Sequence, residues 1–333
     1  MMTKKKNAQT AANSATTAAA TTLLNNPEPV KGVVDVNATM PATPNEHRSY
    51  LAAQRARFVA LADERYRAFT MSLNPSPRPA FGVRSPMLRA EAKRVIAEEG
   101  SRVYLDAVLW ALAEAPALVS ETEWTTLGSV LMGRDKHLTD EEHDHYFEAW
   151  LSQMDGWGVC DTHGSEAHFV RARRDVWQRR ALQWVTEVNP AAPASVWKAR
   201  VALVIALAHF RDKQYVDWAR LLLEHPAIER ALKAYAQQDA LGNPAKKKAG
   251  VTTGFETGEG YYLSMVVAWC WTVFYVLDPV HVRERVVTLT KAGRLDAQTA
   301  LRVVSKVRDS LAVSAEEKAA LRAAVRQALG KPV

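Results

Sequence analysis

Apolar residues recur along this chain at intervals of three and four, and nowhere in a clean alternation of two between turn signals. Leu51, Arg55, Phe58, Val59, Ala62 and Tyr66 lay down one helical stripe, after which Pro75, Pro77 and Pro79 break the chain. Ser85-Pro86 then opens a helix, a cap followed by proline in the first turn, with Met87, Leu88, Ala92, Val95 and Ile96 on its inner face. Val103, Ala107, Val108, Trp110 and Ala111 mark another helix, closed by Pro116, and Leu127, Val130 and Leu131 continue the pattern. Thr139-Asp140-Glu141-Glu142 has the form of a capping box. Further helices are predicted around 177–188, 193–209, 212–223, 261–276, 279–291, 296–310 and 314–329.

Helices of this length, joined by short connections over the whole chain, predict an all-α fold: a curved superhelical stack of antiparallel helix pairs, HEAT-like and without a fixed sequence period. Such an α-solenoid offers an extended binding surface. Residues 1–46 are rich in Ala, Thr and Asn and are expected to be a disordered tail, leaving 47–330 as a single helical-repeat domain. The tail is acid-poor and hydroxyl-rich like a transit peptide, but it has no arginine and only a weak amphipathic pattern. Turn formers at 240–258 predict a loop insertion whose Lys246, Lys247 and Lys248 are read as solvated linker, with phosphate contact as the other reading.

Composition narrows the class. With 48% hydrophobic and 24% charged residues the chain is ordinary for a soluble protein, with no apolar run of membrane-spanning length expected; the apolar stretch near Val201–Ala208 is too short. Cys160 and Cys270 are too few for a disulfide framework or a zinc cage and read as reduced thiols. The net charge is +7. The tail holds four lysines against three acids, a surplus of one, so the remaining six belong to the helical part. A basic stripe on one face binds a phosphate backbone even at modest total charge.

The candidate chemistry centres on Met154 to Asp161. Trp157 and Asp161, four apart, share a helix face, and Arg171, Arg173, Arg174, Arg179 and Arg180 follow. An aromatic face, a carboxylate and a cationic cluster suit a cationic group attached to a polyanion. The plainer reading makes Trp157 a core anchor and Asp161 an exposed or capping carboxylate. Arg171, Arg173 and Arg174 have only Glu166 and Asp175 nearby to offset them, which favours phosphate contact. His143-Asp144-His145 is read as part of a solvated acidic helix, since positions two apart diverge and no second histidine pair has ligand spacing. His163 and His168 are read as structural or surface residues, Cys160 as a packed thiol, and Trp110, Trp124, Trp150, Trp177, Trp184 and Trp218 as core.

Four segments in series carry a resemblance. Phe81-Gly82-Val83-Arg84-Ser85-Pro86-Met87-Leu88-Arg89 with Ala92-Lys93, then Trp157-Gly158-Val159-Cys160-Asp161, then Trp197-Lys198-Ala199-Arg200-Val201-Ala202-Leu203, and then Tyr261-Tyr262 through Ala268-Trp269 resemble the DNA alkylation repair family, the AlkD-type HEAT-like repeat glycosylases. Leu295-Asp296 through Lys306-Val307-Arg308-Asp309-Ser310 is similar to one branch of it. The chain departs at Gly158, where members often have Asp, and at Thr272-Val273-Phe274, where Arg-Glu-Tyr is familiar.

This resemblance implies hydrolysis of the N-glycosidic bond of N3- or N7-alkylated purines in duplex DNA. Trp157, Asp161 and Trp269 would face the damaged nucleotide, and Arg200 would contact a backbone phosphate. It implies no metal and no cofactor, a monomer, double-stranded DNA carrying alkylated bases as partner, no membrane, and a place in the cytoplasm at the nucleoid or in a nucleus. The rival expectations are a non-catalytic helical-repeat protein binding distorted DNA and a scaffold for a protein partner.

Overall fold

Thr43 and Glu46 form a reciprocal capping box, and Pro44 stands in the first turn behind it, so helix α1 (Pro44–Leu61) starts three residues ahead of the expected boundary at 47. The computed structural model describes residues 42–73, 78–241 and 258–332, all in one compact unit. The rest of the expected tail, the interior of the loop expected at 240–258 and its three lysines lie outside the described residues.

Fourteen more α-helices follow among the described residues: α2 (Glu64–Leu73), α3 (Ser85–Glu98), α4 (Ser101–Glu114), α5 (Thr122–Arg134), α6 (Asp140–Leu151), α7 (Trp157–Glu166), α8 (Arg174–Thr186), α9 (Pro193–His209), α10 (Val216–Leu223), α11 (Pro226–Leu241), α12 (Glu259–Leu277), α13 (Pro279–Lys291), α14 (Ala297–Asp309) and α15 (Ala315–Ala328). No strand occurs among the described residues. The expected capping box at Thr139 and Glu142 opens α6.

The fold is all-α and solenoid-like. One layer is an unbroken ladder in which α3 packs on α5, α5 on α7, α7 on α9, α9 on α12, and α12 on α14. The second layer backs it: α4 against α5, α6 against α5, α8 against α9, α13 against α12 and α15 against α14. Between the layers lies a continuous core. Phe147 sits at its centre, stacked 3.8 Å from His163 and meeting Trp177 edge-on at 5.0 Å.

Three expectations are corrected. The stripe from Leu51 to Tyr66 is two helices, because Ala62 is extended and the Asp63 carboxylate accepts the Tyr66 amide at 2.9 Å, starting α2 afresh. Met87 belongs to the exposed side of α3, at the edge of its stripe. An apolar run of membrane-spanning length does exist: α12 is long and apolar enough by length and composition. Its packing explains that composition, since α9, α10, α11, α13 and α14 all contact it.

Helix α7 is gripped on both sides through glycines. A Cβ at Gly133 of α5 would lie 1.8 Å from the Glu166 carbonyl oxygen, and one at Gly164 of α7 would lie 2.8 Å from the Val204 side chain of α9. The Gly133 obstacle is backbone and has no rotamer to escape into. Gly133→Ala should therefore destabilise the fold by about 1–3 kcal/mol or more, read as a lower urea midpoint. A midpoint equal to wild type would mean that α5 and α7 part freely.

Candidate functional site

The turn before α7 is fixed by a residue far upstream. Arg78 donates from Nε and Nη2 to the two Asp155 carboxylate oxygens at 2.6 and 2.8 Å, from Nη2 to the Gln153 carbonyl at 2.8 Å, and from Nη1 to the Thr125 hydroxyl at 2.8 Å. The segment after Arg78 is held as well: Glu123 accepts the amides of Phe81, Gly82 and Val83 at 3.0, 2.7 and 3.1 Å. With Gly156 as N-cap, Trp157 becomes the first residue of α7. Its indole Nε1 donates to the Leu73 carbonyl at 3.0 Å, and the Tyr262 hydroxyl donates to the same oxygen at 3.2 Å. The end of α2 thus sits between two aromatic residues of the ladder.

One turn on, Asp161 accepts both arms of a guanidinium. Arg200 of α9 donates from Nε to Oδ1 at 2.8 Å and from Nη2 to Oδ2 at 2.9 Å. Its remaining nitrogen, Nη1, donates to the Tyr262 carbonyl of α12 at 2.7 Å. One side chain therefore ties three successive ladder helices together. The Arg200 side chain is 6% exposed and that of Asp161 22%. Burial raises the Asp161 pKa above the ordinary carboxylate value; Arg200 acts against this, as does Lys306 of α14. Beneath the pair, Cys160 is buried, burial raises its thiol pKa strongly, and its Sγ faces the Trp197 carbonyl at 3.8 Å. It is the packed thiol expected from sequence.

Trp157, Asp161 and Arg200 are thus brought into one constellation with Tyr262. Trp269 lies on the same face of α12 as Tyr262, seven residues or about 10.5 Å further along the axis, and the residue is 36% exposed. The replaced positions after it point inward: Thr272 and Phe274 are buried, and the Thr272 hydroxyl donates to the Ala268 carbonyl at 2.8 Å.

The cationic residues divide. Arg200, expected at a phosphate, has all three nitrogens engaged by the protein and positions Asp161. Arg173 is held by Asp144, with Nη1 donating at 3.2 Å, and by the Asp140 carbonyl at 3.1 Å; Arg180 donates to the same Asp144 at 2.8 Å. Arg174 is half-buried over the Tyr215 ring at 5.6 Å. Arg171 is exposed and makes no hydrogen bond or ion pair among the described residues. His143, expected on a solvated helix, is buried and stacked 4.1 Å from Phe169, because α6 turns that face to the core. His163 is structural: its ring lies 3.0 Å from the Ser129 hydroxyl.

Sequence reasoning missed Arg78, Asp155 and the Leu73 carbonyl. Arg78 sits within a proline run and carries no local signal of a partner 77 residues away. Tyr262 and Lys306 stood inside quoted segments without a role. No group of three or more His, Cys, Asp or Glu with the arrangement to hold a metal ion occurs among the described residues.

The buried pair gives a direct check. Arg200→Ala leaves a partly buried carboxylate unpaired and should cost about 3–5 kcal/mol, measured by urea unfolding. An exposed phosphate contact would cost almost nothing, so an unchanged midpoint would contradict this geometry.

No curated protein and no solved structure matches the chain. A family model does: that of the DNA alkylation repair enzymes matches residues 54–247, more than half of the chain, including Trp157, Asp161 and Arg200. The chain belongs to the DNA alkylation repair enzyme family.

Proposed function

We propose that this protein is a DNA glycosylase that releases N3- or N7-alkylated purines from duplex DNA, with Asp161 as its catalytic carboxylate. The observation that carries the reading is the state of that carboxylate. It is fixed by two hydrogen bonds and mostly shielded from water, with 22% of the side chain still exposed. A carboxylate offers about four lone-pair sites, and Arg200 occupies two. The others are available to a developing sugar cation and to a water.

Alkylation at N3 or N7 gives the base a positive charge and makes it a good leaving group. What remains for the protein is to stabilise an oxocarbenium-like sugar and to orient water, and a preorganised negative charge does both. Cleavage transfers the bonding electrons of the C1′–N bond to the purine. Water then adds to C1′, and its proton leaves to Asp161 or to solvent. Trp157 and Trp269 offer ring faces to the cationic base, worth about 0.5–2 kcal/mol each. Lys306, which acts on Asp161 from α14, and exposed Arg171 are the phosphate contacts in this reading, with Arg173 and Arg174 secondary because the protein itself engages them.

Asp161→Asn keeps size and one of the two acceptors for Arg200 but removes the charge. Single-turnover release of N7-methylguanine from duplex should slow by roughly 10²–10³, with duplex affinity little changed. In the wild type the rate should fall on the acid side as Asp161 protonates. Because burial raises its pKa, that limb should lie above the ordinary carboxylate range. Release indifferent to Asp161→Asn would defeat the assignment, and a wild type with no release would leave a protein that binds damaged DNA without cleaving it.

A further inference from the structure

Five residues beyond Asp161, α7 ends on Glu166, a carboxylate only 5% exposed. Two guanidinium side chains and a histidine converge on it. Arg89 of α3 donates from Nε and Nη2 to Oε1 at 3.0 and 2.9 Å. Arg134, the last residue of α5, donates from Nε to Oε2 at 3.0 Å. His168 places Nε2 3.7 Å from Oε2. The meeting depends on Gly133, whose missing side chain lets α5 touch the Glu166 backbone.

Next to this hub are two groups that structure alone leaves unexplained. Arg171 is exposed and bonds to nothing among the described residues, yet acts on both His168 and His209. His209 is 4% exposed and hydrogen-bonds the Gly164 carbonyl through Nε2, while its Nδ1 is buried without a partner. The His168 and His209 rings meet edge to face at 5.8 Å. Three guanidinium charges against one carboxylate leave two in excess. The C-terminal dipoles of α5 and α7 offset part of that excess. Anchoring the ends of two helices to Glu166 accounts for Arg89 and Arg134. It does not account for Arg171.

We propose that Arg89, Arg134, His168 and Arg171, organised by Glu166, form a seat for a DNA backbone phosphate separate from the Asp161 site; the proposal rests on the duplex-DNA reading above. His168 opens the single 3-10 turn, His168–Arg171, directly beyond α7, so the seat lies past the C-terminal end of the helix that bears Asp161. It sets the register of the strand and reads no base.

Duplex binding followed by fluorescence anisotropy over a range of salt concentrations tests this with Arg171→Gln, Arg89→Gln and the double variant. Each change should lower the slope of log K against log salt by about one. Affinity should fall roughly tenfold per change, as for the loss of one charged hydrogen bond, and equally for alkylated and unmodified duplex. Arg171→Gln removes no intramolecular bond, so its effect cannot come from unfolding. Arg89→Gln leaves Glu166 paired with Arg134, and its fold is checked by circular dichroism. If Arg89→Gln does not fold, the Arg171 slope alone decides. An unchanged slope in folded variants overturns the seat and removes Arg171 from the phosphate contacts, while leaving Asp161 as the catalytic carboxylate. Lowered slopes in a protein that releases no base keep the seat and remove the glycosylase. A wild type with no salt-dependent duplex affinity overturns both.

Discussion

The bidentate pair between Asp161 and Arg200 is the constraint on which the rest of the site depends. Arginine cannot shed its proton in a protein, so a buried guanidinium must find acceptors for its donors or the fold bears the desolvation. Asp161 supplies two acceptors and the Tyr262 carbonyl a third. That requirement fixes α7, α9 and α12 relative to one another. It also leaves a carboxylate whose pKa is raised by burial: relative to its protonated form, the charge there costs stability once pH rises past the unfolded value. A group retained in that state fits electrostatic stabilisation of a reacting centre better than it fits fold stability.

Packing explains how the charge is kept in place. Gly133 and Gly164 let α5 and α9 close on α7, Arg78 pins the turn before it, and the Leu73 carbonyl receives Trp157 and Tyr262 together. These contacts join segments from 33 residues apart, Gly133 to Glu166, up to 189 residues apart. The proposed chemistry needs such a frame, since a fixed charge stabilises a transition state only if no reorganisation is required when the reaction occurs.

Most of the fold was legible in the chain. Period-3.6 stripes, Thr139 with Glu142, and the prolines of α3 and α9 located helices because each is a local signal. Trp157 and Asp161 were readable as a pair because a spacing of four puts them on one face. What escaped was nonlocal. The resemblance implied a phosphate contact for Arg200, and its burial against Asp161 is not visible in the chain; Arg173 was read as a phosphate contact from its local charge, while its partner Asp144 stands 29 residues earlier. The break at Ala62 was hidden because an apolar stripe continues across it, while the capping carboxylate of Asp63 belongs to a common residue type.

The central claim is that Arg200 acts on the reaction only through Asp161, and a double-mutant cycle in single-turnover base release tests it most directly. Arg200→Lys keeps the charge but loses the two-armed geometry. In the wild-type background it should slow release by displacing the carboxylate. In the Asp161→Asn background it should add almost nothing, because the charge it positions is already gone. Strictly additive losses would contradict the account and would place Arg200 in contact with the DNA itself.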